Sequence, residues 1–366
     1  MKKLLMLLAA LLLACLLGAA APARAEGRDA ADTLVLGGES AEEILALAER
    51  PGLRYIDATA STEYEALLRL RELLPDCDIR WVYEFQGVRY PSDTTELKVT
   101  DMTGLEDALR YLPALTDVDL LEAGAKLEDL DRFDAIRPDI FWLWEFRFDW
   151  YKIRTDIRVY SSLLGYNTYF DLDHYYPIIK YCKHLRALDL GHNSITDISM
   201  IGDLQELEVL ILADNRITDC SPIARLHNLV FLELFMNYSI EDYSFLNELT
   251  NIKDLNLCYC KTLDHLDFLE NMPNLEFAMF KRTAISEEDL EPWREKMPDT
   301  IFVYYDGNPE SSGSGWRMTG RNNQVRTAFT HWRDIVHYEH YNEFEFKING
   351  GIFPITDFFK EDDPWW

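Results

Sequence analysis

Residues 185–206 read LRALDLGHNSITDISMIGDLQE, and residues 207–228 read LEVLILADNRITDCSPIARLHN. Leucine falls on leucine, asparagine on asparagine, isoleucine on isoleucine. The pattern continues through LVFLELFMNYSIEDYSFLNELTN (229–251) and IKDLNLCYCKTLDHLDFLENMPN (252–274), and a fifth copy opens at Leu275. A period this short cannot be an independent domain. One copy is a single strand-and-turn unit that cannot bury its own apolar side, so successive copies must stack and share a core. This constraint decides the architecture before composition is considered.

The consensus L-x-x-L-x-L-x-x-N-x-I assigns its own roles. Alternate residues of a strand share a face, so Leu188 and Leu190 point inward from a short strand. Ile195, Ile198, Ile201 and Leu204 close the coil around them. Each buried aliphatic side chain contributes roughly 1.5–3 kcal/mol. Asn193, Asn215 and Asn237 stand where the strand turns inward, and Cys260 and Thr283 take that place in the fourth and fifth copies. An amide there can satisfy backbone groups that the turn strands away from water. These five positions are expected to form a structural ladder, which makes Cys260 a ladder residue, not a nucleophile. Ser199, Ser221, Ser244 and Asp267 share another register and are expected to cap short helices on the opposite side, as Ser286 with Asp289 does in the fifth copy.

The pattern resembles the leucine-rich repeat. It is most similar to the 22-residue class of bacterial internalin-like surface proteins, whose copies read N-x-I-x-D-I-x-P-L; the matching stretches here are NSITDISMI and NRITDCSPI. The resemblance covers residues 185 to about 305. It implies an α/β leucine-rich-repeat solenoid, with a curved parallel sheet on the concave face and short helices on the convex face. It also implies non-catalytic binding of a protein ligand at the cell surface or outside the cell.

The rest of the chain divides around this block. Residues 26–184 read as looser, longer coils. Strand starts fall at Leu53 and Leu115, helices at about 62–74 and 127–136, and β-hairpin excursions follow each. The two long units are offset by 62–63 residues. Residues 306–366 form a small non-repeat α+β module. It begins at the turn-rich DGNPESSGSG and continues with Val325, Phe329 and Trp332 at helical spacing. It either caps the open end of the solenoid or covers its concave face.

Residues 1–25 carry Lys2 and Lys3, an apolar run from Leu4 to Leu17, and Ala23-Arg24-Ala25, the pattern of a secretory signal peptide. The run is short for a membrane span. LLAC, ending at Cys15, resembles a lipobox and offers a second reading, a lipid anchor at Cys15. The chain holds 64 acidic against 36 basic residues, a net charge of −28, so nucleic acid and anionic membrane are disfavoured partners. No cofactor or metal is expected, and no enzyme motif is present. The closest approach to a metal set is Asp334, His337 and His340 at helical spacing, where exposed helix residues are the commoner meaning.

The informative positions alternate with the inward leucines. Val209, Ile211, Phe231, Phe235, Met236, Tyr259, Phe277 and Met279 are expected on the solvent side of the sheet, where large apolar side chains mark a ligand-binding face. A second reading is an envelope protein that binds glycan through Trp316, Trp332, Trp365 and Trp366. The address is directly measurable: mass spectrometry of the exported chain is expected to give Glu26 as its first residue, whereas a lipidated Cys15 would establish the anchor.

Overall fold

The computed structural model describes residues 32–148, 151–161 and 176–304. The signal segment, Cys15, the C-terminal module, the Asp334/His337/His340 set and the four tryptophans above lie outside the described residues. The chain divides into two compact units: one comprises residues up to Thr95 with Thr103–Leu115, the other Glu96–Met102 with all residues from Thr116.

In the first unit, strands β1 (Thr33–Val35), β2 (Tyr55–Asp57) and β3 (Asp78–Arg80) pair in parallel. Helices α1 (Ala41–Ala46) and α2 (Tyr64–Leu73) connect them. The first starts at a capping box in which Ser40 and Glu43 satisfy each other's backbone N–H. Ile44, Ile56, Leu67, Leu70 and Ile79 form its apolar core. The expected hairpin follows, β4 (Val82–Phe85) with β5 (Val88–Pro91), then α3 (Leu105–Tyr111). Trp81 is buried at the hairpin's root; its indole N–H donates to Tyr111 O at 2.9 Å, and its backbone N–H donates to the Ser92 hydroxyl at 3.2 Å.

The second unit repeats this wiring. Strands β6 (Glu96–Lys98), β7 (Asp117–Asp119) and β8 (Phe141–Leu143) are parallel. Helix α4 spans Leu127–Ile136, the range expected from sequence. The hairpin β9 (Glu145–Phe148) with β10 (Tyr151–Arg154) follows. Trp144 stands where Trp81 stood: its indole donates to Ala125 O at 3.0 Å, and its backbone N–H donates to Thr155 Oγ1 at 2.9 Å.

The regular block is a seven-stranded parallel sheet in chain order: β11 (Val159–Ser161), β12 (Ala187–Asp189), β13 (Val209–Ile211), β14 (Phe231–Glu233), β15 (Asp254–Asn256), β16 (Phe277–Met279) and β17 (Ile301–Val303). Register is kept throughout: Leu188 stands against Leu210, Leu210 against Leu232, Leu232 against Leu255. These leucines, with Leu190, Leu212, Leu234 and Leu257, are fully buried.

Sheet bonding continues three residues beyond each strand. Leu190, Leu212, Leu234 and Leu257 donate to Ile211, Glu233, Asn256 and Met279 of the next coil. His192, Asp214, Met236 and Tyr259 then donate to Ala213, Phe235, Cys258 and Lys281 at 2.6–3.0 Å. To do so and still turn, His192, Asp214, Met236, Tyr259 and Arg282 all take positive φ, between 54° and 63°. A left-handed residue other than glycine costs roughly 1–2 kcal/mol.

The next residue in each copy is the ladder residue. Asn215 Nδ2 donates to Leu190 O of the preceding coil at 2.9 Å and to Leu212 O of its own at 3.0 Å, while its Oδ1 accepts from Ile195 N at 2.9 Å. Asn237 repeats the first two bonds with Leu212 and Leu234. Cys260 Sγ reaches Leu234 O at 3.3 Å, a weaker donor in the same slot. Thr283 Oγ1 donates to Phe280 O at 2.8 Å and accepts from Ile285 N at 3.3 Å, both within its own coil.

The expected caps need correction. The connecting segments are five-residue 3-10 turns, starting at Ser199, Ser221, Ser244 and Asp267. The serines are first residues of these turns and cap nothing. Asp197, Asp219 and Asp242, two residues earlier, accept the serine backbone N–H at 2.8 Å. The cap position falls one residue earlier, on Ile198, Cys220 and Tyr243, whose side chains make no capping bond, so the aspartate ahead of it takes the turn's first N–H. Among the described residues of this block, the last coil alone carries an α-helix, α5 (Glu287–Lys296), where Ser286 and Asp289 form a capping box.

The ladder carries a prediction. Asn215→Ala removes the amide that serves Leu190 O and Ile195 N, while Leu212 O keeps its bond from Asn237, and is expected to cost about 1–3 kcal/mol in urea melts. Asn215→Cys keeps one donor and is expected to cost less.

Candidate functional site

The side chains that alternate with the inward leucines of β12–β17 point off the leucine core onto the other face of the sheet. They form three columns: Ala187, Val209, Phe231, Asp254 and Phe277; Asp189, Ile211, Glu233, Asn256, Met279 and Val303; and Gly191, Ala213, Phe235, Cys258 and Lys281. The apolar members pack into one cluster.

Their exposure differs from expectation. Val209, Ile211, Phe231, Phe277 and Met279 are all buried, Phe231 completely. Phe235, Met236 and Tyr259 are half-buried. The solvent-facing apolar patch read from the sequence is therefore corrected: these side chains point away from the coil core but do not meet water. Alternation reveals which way a side chain points, and nothing about what lies above it.

Charged groups share this buried face. Asp189, Glu233, Asp254 and Asn256 are at most 3% exposed, and Lys281 is 8% exposed. Asp189 Oδ1 accepts from Gly191 N at 3.0 Å, and Asn256 Oδ1 accepts from Cys258 N at 3.0 Å. The amide of Asn256 also donates to Glu233 Oε1 at 3.4 Å. Such groups were invisible to a sequence reading that counted only apolar residues. The signal that could have found them is their register with Phe231 and Met279.

The accessible edge of this surface is the left-handed column. His192 Nδ1 lies 2.8 Å from Asp214 Oδ2. The Phe235 and Tyr259 rings meet edge to face, with centroids 5.4 Å apart. Arg282 stacks over Tyr259 at 5.7 Å. Beyond it, Lys261 lies over the exposed ring of Tyr238 at 4.8 Å. The two have a common origin. The third and fourth copies hold one extra residue between the ladder residue and the next inward aliphatic (Asn237 to Ile240, Cys260 to Leu263), where the earlier copies have Asn215 to Ile217. Tyr238 and Lys261 occupy that looped-out position.

Cys77, Cys182, Cys220, Cys258 and Cys260 are free and buried. Burial pushes the thiols of Cys258 and Cys260 up to about 12, leaving no thiolate at neutral pH. No group of three or more His, Cys, Asp or Glu among the described residues could hold a metal ion.

The family model "Leucine Rich repeats (2 copies)" matches residues 183–225 and again 205–248. This block is a leucine-rich-repeat solenoid. No curated protein matches the chain. Among solved structures, internalin C2 of Listeria monocytogenes is similar at 22% identity, covering 57% of this chain and 77% of its own, with a TM-score of 0.32. Internalin F of the same organism gives 17% identity, 75% and 92% coverage and a TM-score of 0.30. The leucine-rich-repeat protein LIC12759 of Leptospira interrogans gives 14%, 70%, 74% and 0.30.

Burial reverses the expected effect of a substitution. An exposed phenylalanine could be truncated freely. Phe231→Ala, removing a fully buried ring, is instead expected to cost about 3–5 kcal/mol in urea melts.

Proposed function

We propose that the chain is an exported, non-catalytic binding protein that holds a protein ligand at the cell surface or outside the cell. The ligand would engage the strand ends and the sheet face of the leucine-rich-repeat block. The fold is one typical of protein binding. Export rests on residues 1–25, and the strong negative charge argues against nucleic acid and anionic membrane. Among the described residues, no helix is long and apolar enough to cross a membrane.

The observation that carries this reading is the left-handed column. Glycine would take those φ values without strain. The chain instead places His192, Asp214, Met236, Tyr259 and Arg282 there. Backbone strain held in successive copies, with large side chains at the edge of an aromatic surface, is what a contact site would retain. Phe235, Met236 and Tyr259 are the anchors a ligand can reach directly. Val209, Ile211, Phe231, Phe277 and Met279 extend the same surface beneath them.

Asparagine tolerates left-handed backbone, so it removes these side chains without disturbing the turn. The triple variant Met236→Asn, Tyr259→Asn, Arg282→Asn is expected to melt within a few degrees of wild type. Compared on a resin exposed to exported proteins, it should lose at least ten-fold of what wild type retains. Equal retention by the two would sink the proposal, and retention of glycans in place of proteins would favour the tryptophan-based reading.

A further inference from the structure

The buried sheet face requires a cover. Side chains on one face of a sheet shield one another sideways, but only a second layer shields them from above. All the described residues in the apolar cluster come from β12–β17, the residue ahead of β14, and the turns that follow the strands. No described residue from outside these strands and turns belongs to the cluster. The cover must also suit the carboxylates of Asp189, Glu233 and Asp254, which share this face with Lys281 among the described residues. Buried carboxylates are tolerated when an opposite charge or hydrogen-bond donors reach them. The face therefore calls for a segment that is both apolar and basic.

We infer that residues 316–336 of this same chain dock on the sheet face of β12–β17, with their aromatic side chains against Phe231 and Phe277 and their arginines toward the buried carboxylates. Three observations select this segment. First is charge. In a chain of net −28, residues 316–336 hold Arg317, Arg321, Arg326 and Arg333 against one acid, Asp334. Second is pattern. Val325, Phe329, Trp332 and Val336 give it an apolar side at helical spacing. Third is position. The segment follows β17, the last strand of the sheet, after a short turn-rich connection. Crossing from β17 to β12 takes about 24 Å at ~4.8 Å per strand. A helix over 316–336 would span about 31 Å. Residues 162–175 are a poorer fit, since they carry Asp171 and Asp173 and no Lys or Arg. The inference does not rest on an external ligand existing. If one does, it reaches Phe231 and Phe277 only by displacing this segment.

Cys258 supplies the readout. It belongs to the sheet-face cluster, whereas Cys220 and Cys260 lie inside the coils. In the full chain at neutral pH, N-ethylmaleimide should label all three slowly, as mapped by mass spectrometry. In the variant Arg317→Gln, Arg321→Gln, Arg326→Gln, Arg333→Gln, Cys258 should react at least ten-fold faster while Cys220 and Cys260 stay protected. Fast labelling of Cys258 in wild type, or an unchanged rate in the variant, overturns the inference. Should all three thiols speed up together, the variant has unfolded and a second measurement decides. A protease site is placed between Glu310 and Gly315 and cut after folding. Co-elution of the 316–366 fragment with the body in low salt, and its release in 1 M NaCl, supports docking; separation in low salt overturns it.

Discussion

Each coil must reverse direction at the end of its strand without abandoning a buried carbonyl, and the rest of the repeat block follows from how it does so. The strand ladder runs on until a left-handed residue donates its N–H to the next coil. The amide one residue later then serves two carbonyls and an N–H that no backbone group can reach. The strained φ and the asparagine are one device: the first aims the second. Unsatisfied polar groups here would cost about 1–3 kcal/mol each, comparable to the strain that avoids them. Because the bonds run between coils, each copy is held by its neighbours, and the leucine columns stay in register from β12 to β15.

Much of this was legible. Leucine and asparagine columns fix strand position, direction and ladder, since a period-two pattern and a buried amide each have few solutions. Helix Leu127–Ile136 was readable because Pro138 stops it and its apolar residues keep helical spacing. The twin tryptophan-rooted hairpins were visible as a repeat offset, although the bonds of Trp81 and Trp144 to distant carbonyls were not.

What escaped sequence reading had physical causes. The capping role went to serine because serine is a common N-cap; the turn starts one residue earlier than that role needs, and Asp197, Asp219 and Asp242 accept the serine N–H. The left-handed column was hidden because the chain does not write glycine there. Burial of the sheet face was hidden because alternation encodes direction alone. A face bearing Phe231 and Glu233 in adjacent columns reads as an open contact surface or as a covered one with equal ease. The near-complete burial of Glu233 favours a covered one.

Tyr238 and Lys261 show where this architecture keeps its slack. The extra residue of the longer copies enters after the ladder amide and before the next inward aliphatic, so neither strand register nor core is disturbed. Both side chains project into solvent and stack on each other. The coil thus has one hinge-like joint at which its circumference can grow while its axial spacing stays fixed. Variation in such a chain would collect there, on one line along the outside of the turn. Each added residue widens the available surface chemistry and leaves the stacking untouched.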